Sequence, residues 1–349
     1  MDFEKRLIDW YSINKRELPW RDTKDPYYIW LSEIILQQTQ VKQGLPYYNA
    51  FVKKYPSVFD LAAASEEDVL KLWQGLGYYS RARNLHTTAK HIANDFNGVF
   101  PDNYNDLLKL KGIGDYTASA IASIAFNEVT AVVDGNVYRV LARYFGIDTP
   151  INSTAGIKEF KTLASSLIDK QRPATYNQAI MEFGARQCKP KSPDCTSCPI
   201  NDGCVALQKN IVGALPVKLK KTKVTTKYFN FLVCIDKDKN ILFEKRNKKG
   251  IWQNLYQFPL VESEKSLSVD EFHLLNLENT ALISTEFDYS LYNETDKVHK
   301  LSHQHLYTKF WIVEITQLPE ESISVTTLKK YPAPVLISDF INEFNFSSL

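Results

Sequence analysis

Four cysteines lie within a span of 17 residues near the middle of the chain, with the spacing C-x6-C-x2-C-x5-C. They are Cys188, Cys195, Cys198 and Cys204. Four thiolates at such short spacing can hold a tetrahedral zinc ion or an iron–sulfur cluster. Disulfides are less expected, because the chain starts without an apolar secretion signal and thiols stay reduced in the cytoplasm. The ligand types alone therefore predict a metal centre and leave zinc and iron–sulfur open.

Two carboxylates stand in sequence surroundings that suit acid–base chemistry. Glu33 lies in the largely apolar helical run Tyr28–Leu36. Burial there would raise the pKa of its carboxyl group and let it act as a general acid, whereas an exposed helix face is the simpler alternative. Asp134 precedes a helical pattern, where an aspartate is commonly an N-cap. An ionised carboxylate can also stabilise the positive charge that develops on a sugar as a glycosidic bond breaks. The pair is therefore compatible with glycosidic-bond cleavage.

A Gly-x-Gly turn, Gly112-Ile113-Gly114, precedes another helical pattern and predicts a helix–hairpin–helix motif. Two glycines allow a sharp turn and expose backbone amides at the start of the next helix, where a phosphate can accept hydrogen bonds. Such contacts do not read base sequence. An ordinary helical turn remains the alternative.

The charge of the chain is unevenly distributed along its length. The whole chain carries a formal net charge of +2, but from Phe231 to the end there are 12 Lys or Arg against 17 Asp or Glu. The preceding residues therefore carry +7. A stretch without acidic residues holds five of the lysines: Lys218, Lys220, Lys221, Lys223 and Lys227. A basic first part favours association with nucleic acid, although a lysine-rich linker can also be merely solvated.

The 349 residues predict two or three domains. Apolar spacing predicts short helices throughout 1–210, a basic linker over 211–228 and an α+β domain over 229–349. In the last domain we expect strands at Tyr228–Ile235, Asn240–Lys245 and His305–Ile315, and helices at Val269–Leu277 and Val335–Phe344. No apolar run is long enough for a membrane span, so we expect a cytoplasmic protein with no membrane partner.

Several segments, in this order, resemble the adenine DNA glycosylase (MutY) family. They are Leu18-Pro19-Trp20-Arg21, Glu33–Val41, Trp73–Tyr79, Gly112–Ala118, Val132–Val140, Asn177-Gln178-Ala179, the four cysteines and Gly250–Pro259. The resemblance implies an N-terminal all-α helix–hairpin–helix glycosylase domain and a C-terminal α+β domain with a Nudix-like fold. It implies a helical-barrel part over about 22–125 and a cluster part formed by 1–21 with 126–210. It also favours a [4Fe–4S] cluster, held by the four cysteines in a structural role, over zinc.

The family removes adenine mispaired with 8-oxoguanine or guanine in duplex DNA, and the resemblance assigns roles within the catalytic site. Glu33 would protonate N7 of the flipped adenine and later help to activate water. Asp134 would stabilise the oxocarbenium-like sugar, Asn136 would orient Asp134, and Tyr116 would line the pocket near both carboxylates. Related endonuclease III-like enzymes carry a lysine where Tyr116 stands, and its amine permits strand cleavage. A phenol forms no Schiff base, so we expect a monofunctional glycosylase that acts as a monomer.

The resemblance also implies DNA-binding residues. Gln38 and Tyr78 would enter the helix near the lesion and replace the stacking that is lost when the adenine is extruded. Gly112 and Gly114 would hold phosphate, and Arg21 would also bind DNA. Two alternatives stay open: an endonuclease III-like glycosylase with lyase activity, and an iron–sulfur DNA-binding module without catalysis.

In the C-terminal domain, Leu301-Ser302-His303 stands where the family commonly has Phe-Ser-His at its 8-oxoguanine contact. Ser302 would read the edge that distinguishes 8-oxoguanine from guanine, with His303 beside it. The neighbouring histidines, His299 and His305, leave a metal site as a weaker alternative. The glutamate-rich box of Nudix hydrolases is absent from the sequence, so the resemblance implies lesion recognition and not nucleotide hydrolysis.

Overall fold

Short helices follow one another from Phe3 to Gln208 in the computed structural model, which describes residues 3–219, 224–277, 280, 282 and 286–346. Three lysines of the expected basic linker, Lys220, Lys221 and Lys223, lie outside the described residues. The described residues form two compact units. One comprises those of Met1–Ala63 and Arg83–Lys220, and the other comprises those of Ala64–Ala82 and Lys221–Leu349.

The helices before the linker are α1 (Phe3–Asn14), α2 (Pro26–Leu36), α3 (Val41–Lys54), α4 (Val58–Ala63), α5 (Glu66–Leu72), α6 (Ser80–Asp95), α7 (Tyr104–Leu107), α8 (Asp115–Phe126), α9 (Gly135–Phe145), α10 (Thr154–Leu167), α11 (Pro173–Arg186) and α12 (Val205–Gln208). Their ends follow local sequence signals. Proline stands in the first turn of α2 and α11, where no intrahelical amide bond is lost. Gly146 ends α9 in the left-handed conformation. Ser65 caps α5, as expected of a serine one residue before a helix.

The second unit is built on a mixed β-sheet. Its strands are β1 (Thr225–Ile235), β2 (Asn240–Ile241), β3 (Glu244–Lys245), β4 (Tyr256–Gln257), β5 (Leu260–Ser263), β6 (Phe287–Leu291), β7 (Lys297–Lys300), β8 (Gln304–Ile315) and β9 (Ile323–Ser324). The main sheet has the order β6-β8-β1-β2-β9, with β5 on β1 and β7 on β8. The two long strands, β1 and β8, pair in parallel. The strand expected at His305–Ile315 is thus confirmed, and it is buried along most of its length.

One helix, α13 (Val335–Glu343), covers this sheet, close to the helix expected at Val335–Phe344. Its Phe340 stacks on Phe310 of β8 with ring centroids 4.2 Å apart. The helix expected at Val269–Leu277 is instead a 3-10 helix over Val269–Leu274, and it ends there because Leu275 is extended. No helix among the described residues is long and apolar enough to cross a membrane.

Residues 64–82 belong to the same compact unit as these strands, although they precede β1 by more than 140 residues in the chain. Tyr256 of β4 donates a hydrogen bond to Glu67 of α5 (3.0 Å), and Lys71 of α5 donates to the carbonyl of Tyr331 (3.0 Å). The domain boundaries expected from the sequence remain predictions, and they did not include this grouping.

Candidate active site

A cleft of about 1120 Å³ opens in the first unit, lined by residues that come from distant parts of the chain. Seven of the candidate residues named from the sequence lie along its wall: Arg21, Glu33, Gln38, Gly114, Tyr116, Asp134 and Asn136. Helix α2 supplies Glu33, the N-terminal turn of α8 supplies Tyr116, and the start of α9 supplies Asp134 and Asn136. The two carboxylates, 101 positions apart in the sequence, are thereby brought into one site.

Glu33 has the electrostatic surroundings of a general acid. Its neighbours on α2, Ile34 and Ile35, are buried. Burial raises the pKa of Glu33 from its usual value to about 7, and the negative charge of Asp134 adds to the rise. A hydrogen bond with Tyr116 opposes it, because the phenol stabilises the ionised carboxylate. Near neutral pH, Glu33 therefore exists in both protonated and ionised forms, as a residue that gives and later takes a proton requires.

Asp134 is both a helix cap and a cleft carboxylate, so the two interpretations from the sequence do not exclude each other. Its Oδ1 accepts hydrogen bonds from the backbone amides of Asn136 (2.9 Å) and Val137 (2.8 Å), the first turn of α9. Its Oδ2 accepts a bond from the side-chain amide of Asn136 (2.8 Å). Burial raises the pKa of Asp134, while these donors and the positive charge of Arg139 oppose that rise. The three donors favour the ionised form of Asp134, whereas Glu33 has a single such hydrogen bond, with Tyr116.

Asn136 is fixed by a buried arginine that the sequence reasoning did not identify. The guanidinium of Arg139 donates to Oδ1 of Asn136 (2.8 Å) and to the carbonyls of Gly184 (2.5 Å) and Cys188 (2.7 Å). The expected orienting role of Asn136 thus has a geometric basis, because both ends of its amide are engaged. An arginine three residues after Asn136, on the buried face of a helix, was the available signal.

Tyr116 lies beside Glu33, and its hydroxyl is also 3.2 Å from the sulfur of Met181. Burial and the charges of Glu33 and Asp134 raise the pKa of the phenol well above its usual range, so it keeps its proton. Lys42 is the one lysine among the described residues that line the cleft. The sequence reasoning considered only Lys109 and Lys111 as substitutes for the lyase lysine, and it overlooked Lys42.

Replacing Tyr116 with phenylalanine is expected to shift the pH dependence of catalysis upward. The lost hydrogen bond stabilises the ionised form of Glu33, so without it the carboxyl group keeps its proton to higher pH. The alkaline limb of the single-turnover rate, which reports loss of the acid, then moves to higher pH than in the unmodified protein. A pH series from 5.5 to 9 measures this, and a limb that moves downward contradicts the assigned contact.

A buried charge cluster forms another wall of the cleft. Glu182 accepts bonds from Arg16 (2.6 Å) and Arg21 (2.7 Å). Burial alone would raise the pKa of Glu182, but these arginines outweigh it and lower the pKa to about 2. Arg21, expected to bind DNA, thus has its guanidinium paired with Glu182. Gln178 also lines the cleft, with its carbonyl oxygen bound by the hydroxyl of Tyr11 (2.8 Å); its segment carried the resemblance, but no role was assigned to it.

The two glycines of the hairpin have different structural constraints. Gly112 has φ +82°, and a Cβ there would lie 2.7 Å from the Cβ of Asn84. Gly114 is the N-cap of α8 with extended backbone, offers no side-chain cap, and would place a Cβ in open space. Gly112 is thus required by the turn itself. Gly114 leaves the start of α8 accessible, as backbone binding of a phosphate needs.

These glycines allow a paired prediction. Gly112→Ala is expected to destabilise the protein by about 1–3 kcal/mol, because alanine is strained in the left-handed conformation. Gly114→Ala should leave the melting temperature near that of the unmodified protein but weaken duplex binding, because its methyl group occupies the space that phosphate would enter. Thermal unfolding and duplex affinity distinguish the two effects. Unchanged affinity for Gly114→Ala would argue against the phosphate grip.

Of the candidates not yet described, Gln38 lies on the cleft wall, and Ser302, His303 and Tyr78 lie in the second unit. Gln38 adopts φ +55° in the turn between α2 and α3 and is exposed. In the second unit, Ser302 and His303 are exposed in the turn that precedes β8, with Ser302 Oγ 3.3 Å from His303 Nδ1. The carbonyl of His303 accepts a bond from the amide of Thr225 (3.1 Å), which fixes the loop to the start of β1. Tyr78 also belongs to this unit and is 49% exposed.

The four cysteines line one small cavity in the first unit, together with Arg143. The guanidinium of Arg143 donates to Cys188 Sγ (3.4 Å) and to the carbonyls of Lys189 (2.7 Å) and Pro190 (3.1 Å). Convergent thiols beside a cation fit an anionic thiolate-bound group. No three His, Cys, Asp or Glu side chains in the described part of the chain are arranged to hold a single metal ion, including the histidines near Ser302.

Comparisons with known proteins agree with this architecture. Residues 31–163 match the family described as HhH-GPD superfamily base excision DNA repair protein, and residues 230–343 match the NUDIX domain family. Among solved structures, a thermostable thymine-DNA glycosylase shares 31% identity with a TM-score of 0.55, covering 59% of this chain and 95% of that one. An endonuclease III–DNA complex, at 22% identity and a TM-score of 0.52, covers 60% of this chain and 94% of that one and supports the fold alone. The fold is that of a helix–hairpin–helix base-excision enzyme with a Nudix-like C-terminal domain.

Relatives of known activity are more specific. An adenine DNA glycosylase of Buchnera aphidicola subsp. Baizongia pistaciae is 36% identical over 313 residues, covering 89% of this chain and 86% of the relative. The human adenine DNA glycosylase is 45% identical over 216 residues, covering 59% of this chain and 40% of the relative. The chain belongs to the adenine DNA glycosylase family. It is therefore an enzyme of DNA base-excision repair that hydrolyses N-glycosyl bonds.

Proposed function

We propose that the protein excises adenine paired with 8-oxoguanine or guanine in duplex DNA, without cutting the strand itself. The observation that carries this proposal is the pairing, in one cleft, of two carboxylates with different hydrogen-bonding surroundings. Glu33 has a pKa of about 7, and the ionised form of Asp134 is stabilised by three hydrogen bonds. Glycosidic-bond cleavage needs such a pair: an acid for the leaving base and an anion for the developing cation.

In the proposed reaction, Glu33 donates its proton to N7 of an adenine extruded into the cleft. The C1′–N9 bond breaks, its electron pair stays with the neutral adenine, and positive charge develops on the sugar. Asp134 stabilises that charge as an ion fixed by the first turn of α9, at no cost of reorganisation. Ionised Glu33 then accepts a proton from the water that attacks C1′. Asn136, held by Arg139, keeps the Asp134 carboxylate oriented throughout.

The remaining candidate residues would bind the duplex and the metal centre. The hairpin amides around Gly112 and Gly114 hold a phosphate, and Gln38 and Tyr78 fill the space left by the extruded base. A [4Fe–4S] cluster would be held by Cys188, Cys195, Cys198 and Cys204. It would cross-link the loop after α11 and would take no part in the hydrolysis. Since Arg139 binds the carbonyl of Cys188, this loop supports the hydrogen bonds around Asp134.

Incubation with a duplex carrying A opposite 8-oxoguanine, with and without subsequent alkali, tests the proposal. Breaks that appear only after alkali support it. Breaks without alkali support the lyase alternative, for which Lys42 in the cleft is the available amine. Borohydride trapping of the unmodified protein and of Lys42→Gln would then show whether Lys42 forms the Schiff base. Binding without any base loss would support the non-catalytic alternative.

If Ser302 and His303 read the lesion, Ser302→Ala combined with His303→Ala should narrow the preference for A:8-oxoguanine over A:G. The two side chains are exposed and make no buried contact, so the fold should tolerate the change. Hydrogen bonds that read a base edge are worth about 1–3 kcal/mol, so about a tenfold loss of preference is expected. Single-turnover rates on both duplexes measure it, and an unchanged ratio would place recognition elsewhere.

A further inference from the structure

We propose that Gln74 is a positioning residue for Tyr78, and that it fixes the turn bearing this aromatic ring to the domain that carries Ser302 and His303. The proposal rests on the proposed function, in which Tyr78 enters the duplex. It goes beyond that function because it places the residue that opens the DNA helix and the residues that read the lesion in one rigid unit. Gln74, Tyr78 and the Ser302 loop all belong to the second compact unit.

The turn after α5 has a backbone that must be held in place. Gly75 and Gly77 have φ +100° and +72°, and Tyr78 itself has φ +47°, a conformation that is unfavourable for a residue with a bulky side chain. The ring of Tyr78 is 49% exposed although it is large and apolar. An exposed aromatic ring on a constrained turn is suited to stacking on bases, provided that the turn keeps its shape.

Contacts within the turn hold the ring next to Arg81. The guanidinium of Arg81 lies 5.7 Å from the ring centroid of Tyr78 and 5.0 Å from that of Trp73. It also donates to the carbonyls of Leu76 and Gly77, at 3.2 Å each. These contacts define the shape of the turn, but they do not connect it to the rest of the second unit.

Gln74 makes that connection with both ends of its amide. Its Nε2 donates to the hydroxyl of Ser338 on α13 (2.9 Å), and its Oε1 accepts from the backbone amide of Ala333 (3.2 Å). The same oxygen accepts from Lys71 of α5 (3.0 Å). On the other side of the turn, the hydroxyl of Tyr79 accepts from the amide of Gly75 (3.3 Å) and donates to the carbonyl of Ala333 (3.4 Å). The two flanks of the turn therefore meet at Ala333.

The helix that binds Gln74 packs against the strand that follows the proposed lesion loop. Ser338 lies on α13, whose Phe340 stacks on Phe310 of β8. Strand β8 begins at Gln304, directly after Ser302 and His303. The wedge and the lesion loop thus share one packed core, and their separation is fixed before DNA binds. Preorganisation of this kind lowers the ordering cost of binding.

Loss of the hydrogen bonds of the Gln74 amide should impair lesion binding and distortion of the DNA helix more than the chemical step. Gln74→Leu keeps the side-chain volume but removes the amide. Ser338→Ala removes only the hydrogen bond that the amide donates to Ser338. A 2-aminopurine placed next to the 8-oxoguanine reports local unstacking. We expect Gln74→Leu to weaken binding of the lesion duplex about tenfold and to reduce the unstacking signal toward that of Tyr78→Ala. Ser338→Ala should be intermediate. The maximal single-turnover rate should change less than the affinity.

Tyr256→Phe is the matched control, because it removes a bond from β4 of the same unit to Glu67 of α5, 11 positions before Tyr78. It should leave affinity and unstacking unchanged, whereas a loss equal to that of Gln74→Leu would show general destabilisation and overturn the proposal. Thermal unfolding of each variant accompanies the assay. If Gln74→Leu fails to fold, the same comparison rests on Ser338→Ala.

The decisive measurement is a double-mutant cycle. If Gln74 acts by holding Tyr78, Gln74→Leu should add nothing in a Tyr78→Ala background. Fully additive effects would overturn the proposal. If Tyr78→Ala alone leaves unstacking and affinity unchanged, the wedge role in the proposed function is wrong. If Tyr78→Ala reduces both while Gln74→Leu behaves as the unmodified protein, only the positioning role is wrong.

Discussion

Asp134→Asn is expected to bind an A:8-oxoguanine duplex with nearly unchanged affinity and to lose more than about a hundredfold in single-turnover rate. Asparagine is as good an N-cap as aspartate, so its Oδ1 should keep the two amide bonds of the first turn of α9. Its amide nitrogen cannot accept the bond that Asp134 Oδ2 receives from Asn136, so a modest loss of stability is expected. What is lost is the negative charge that would face the developing cation. A second effect acts in the same direction: the charge of Asp134 helps to raise the pKa of Glu33, so its removal leaves less of the acid protonated at neutral pH.

Asp25→Asn provides the matched control for Asp134→Asn. Asp25 caps α2 by accepting a bond from the amide of Tyr27 (2.8 Å), as Asp134 caps α9, but it does not line the cleft. Asp25→Asn should change the melting temperature little and Asp134→Asn somewhat more, because Asp134→Asn also loses the bond from Asn136, and only Asp134→Asn should lose activity. A near-normal rate for Asp134→Asn would leave Asp134 as a cap alone and would remove the carboxylate pair from the proposed mechanism.

The helical first part and the strands of the second part could be predicted because local spacing determines them. The run around Glu33 is apolar, and β8 is rich in aromatic and β-branched residues. Such periodicity identifies an element even when its neighbours are unknown. The 3-10 helix at Val269–Leu274 shows the limit of such prediction. The spacing of apolar residues does not distinguish an α-helix from a short 3-10 helix.

The contacts between distant segments could not be predicted from spacing. The spacing of Arg139 and Asn136 allows their contact, but nothing near Arg139 in the sequence indicates that its guanidinium also binds the carbonyl of Cys188, 49 positions later. Likewise, Gln74 stands in a segment that carried the resemblance, yet two of its partners, Ser338 and Ala333, lie 264 and 259 positions later. Side-chain bonds of this kind depend on how elements pack, and packing depends on the whole chain.

The distribution of the candidate residues over two units is a related case. The predicted helical-barrel part, over about 22–125, contains Glu33, Tyr78 and Tyr116 together. The structure groups Glu33 and Tyr116 in the cleft but Tyr78 with the sheet. One compact unit can contain segments that are far apart in the chain, and the order of residues in the sequence does not show which segments these are.

Glu33→Gln is expected to reduce the single-turnover rate by about 10² to 10⁴, the usual range for a lost general acid. Glutamine keeps the shape of the side chain and can still accept a bond from Tyr116, but its amide has no proton to transfer to N7. Because burial holds the pKa of Glu33 near 7, the unmodified enzyme should lose activity as the pH rises through that value. The Glu33→Gln variant should lack this alkaline limb.

A substrate change distinguishes loss of the acid from loss of structure. A duplex with 7-deazaadenine in place of adenine has no N7 to protonate, so the unmodified enzyme should cleave it as slowly as Glu33→Gln cleaves adenine. Combining the variant with the analogue should cost little more than either alone, because both remove the same proton transfer. Multiplicative losses would mean that Glu33 acts elsewhere in the reaction. In that case another group of the cleft wall would have to be the acid. Glu33 would then position the adenine instead of donating a proton to it.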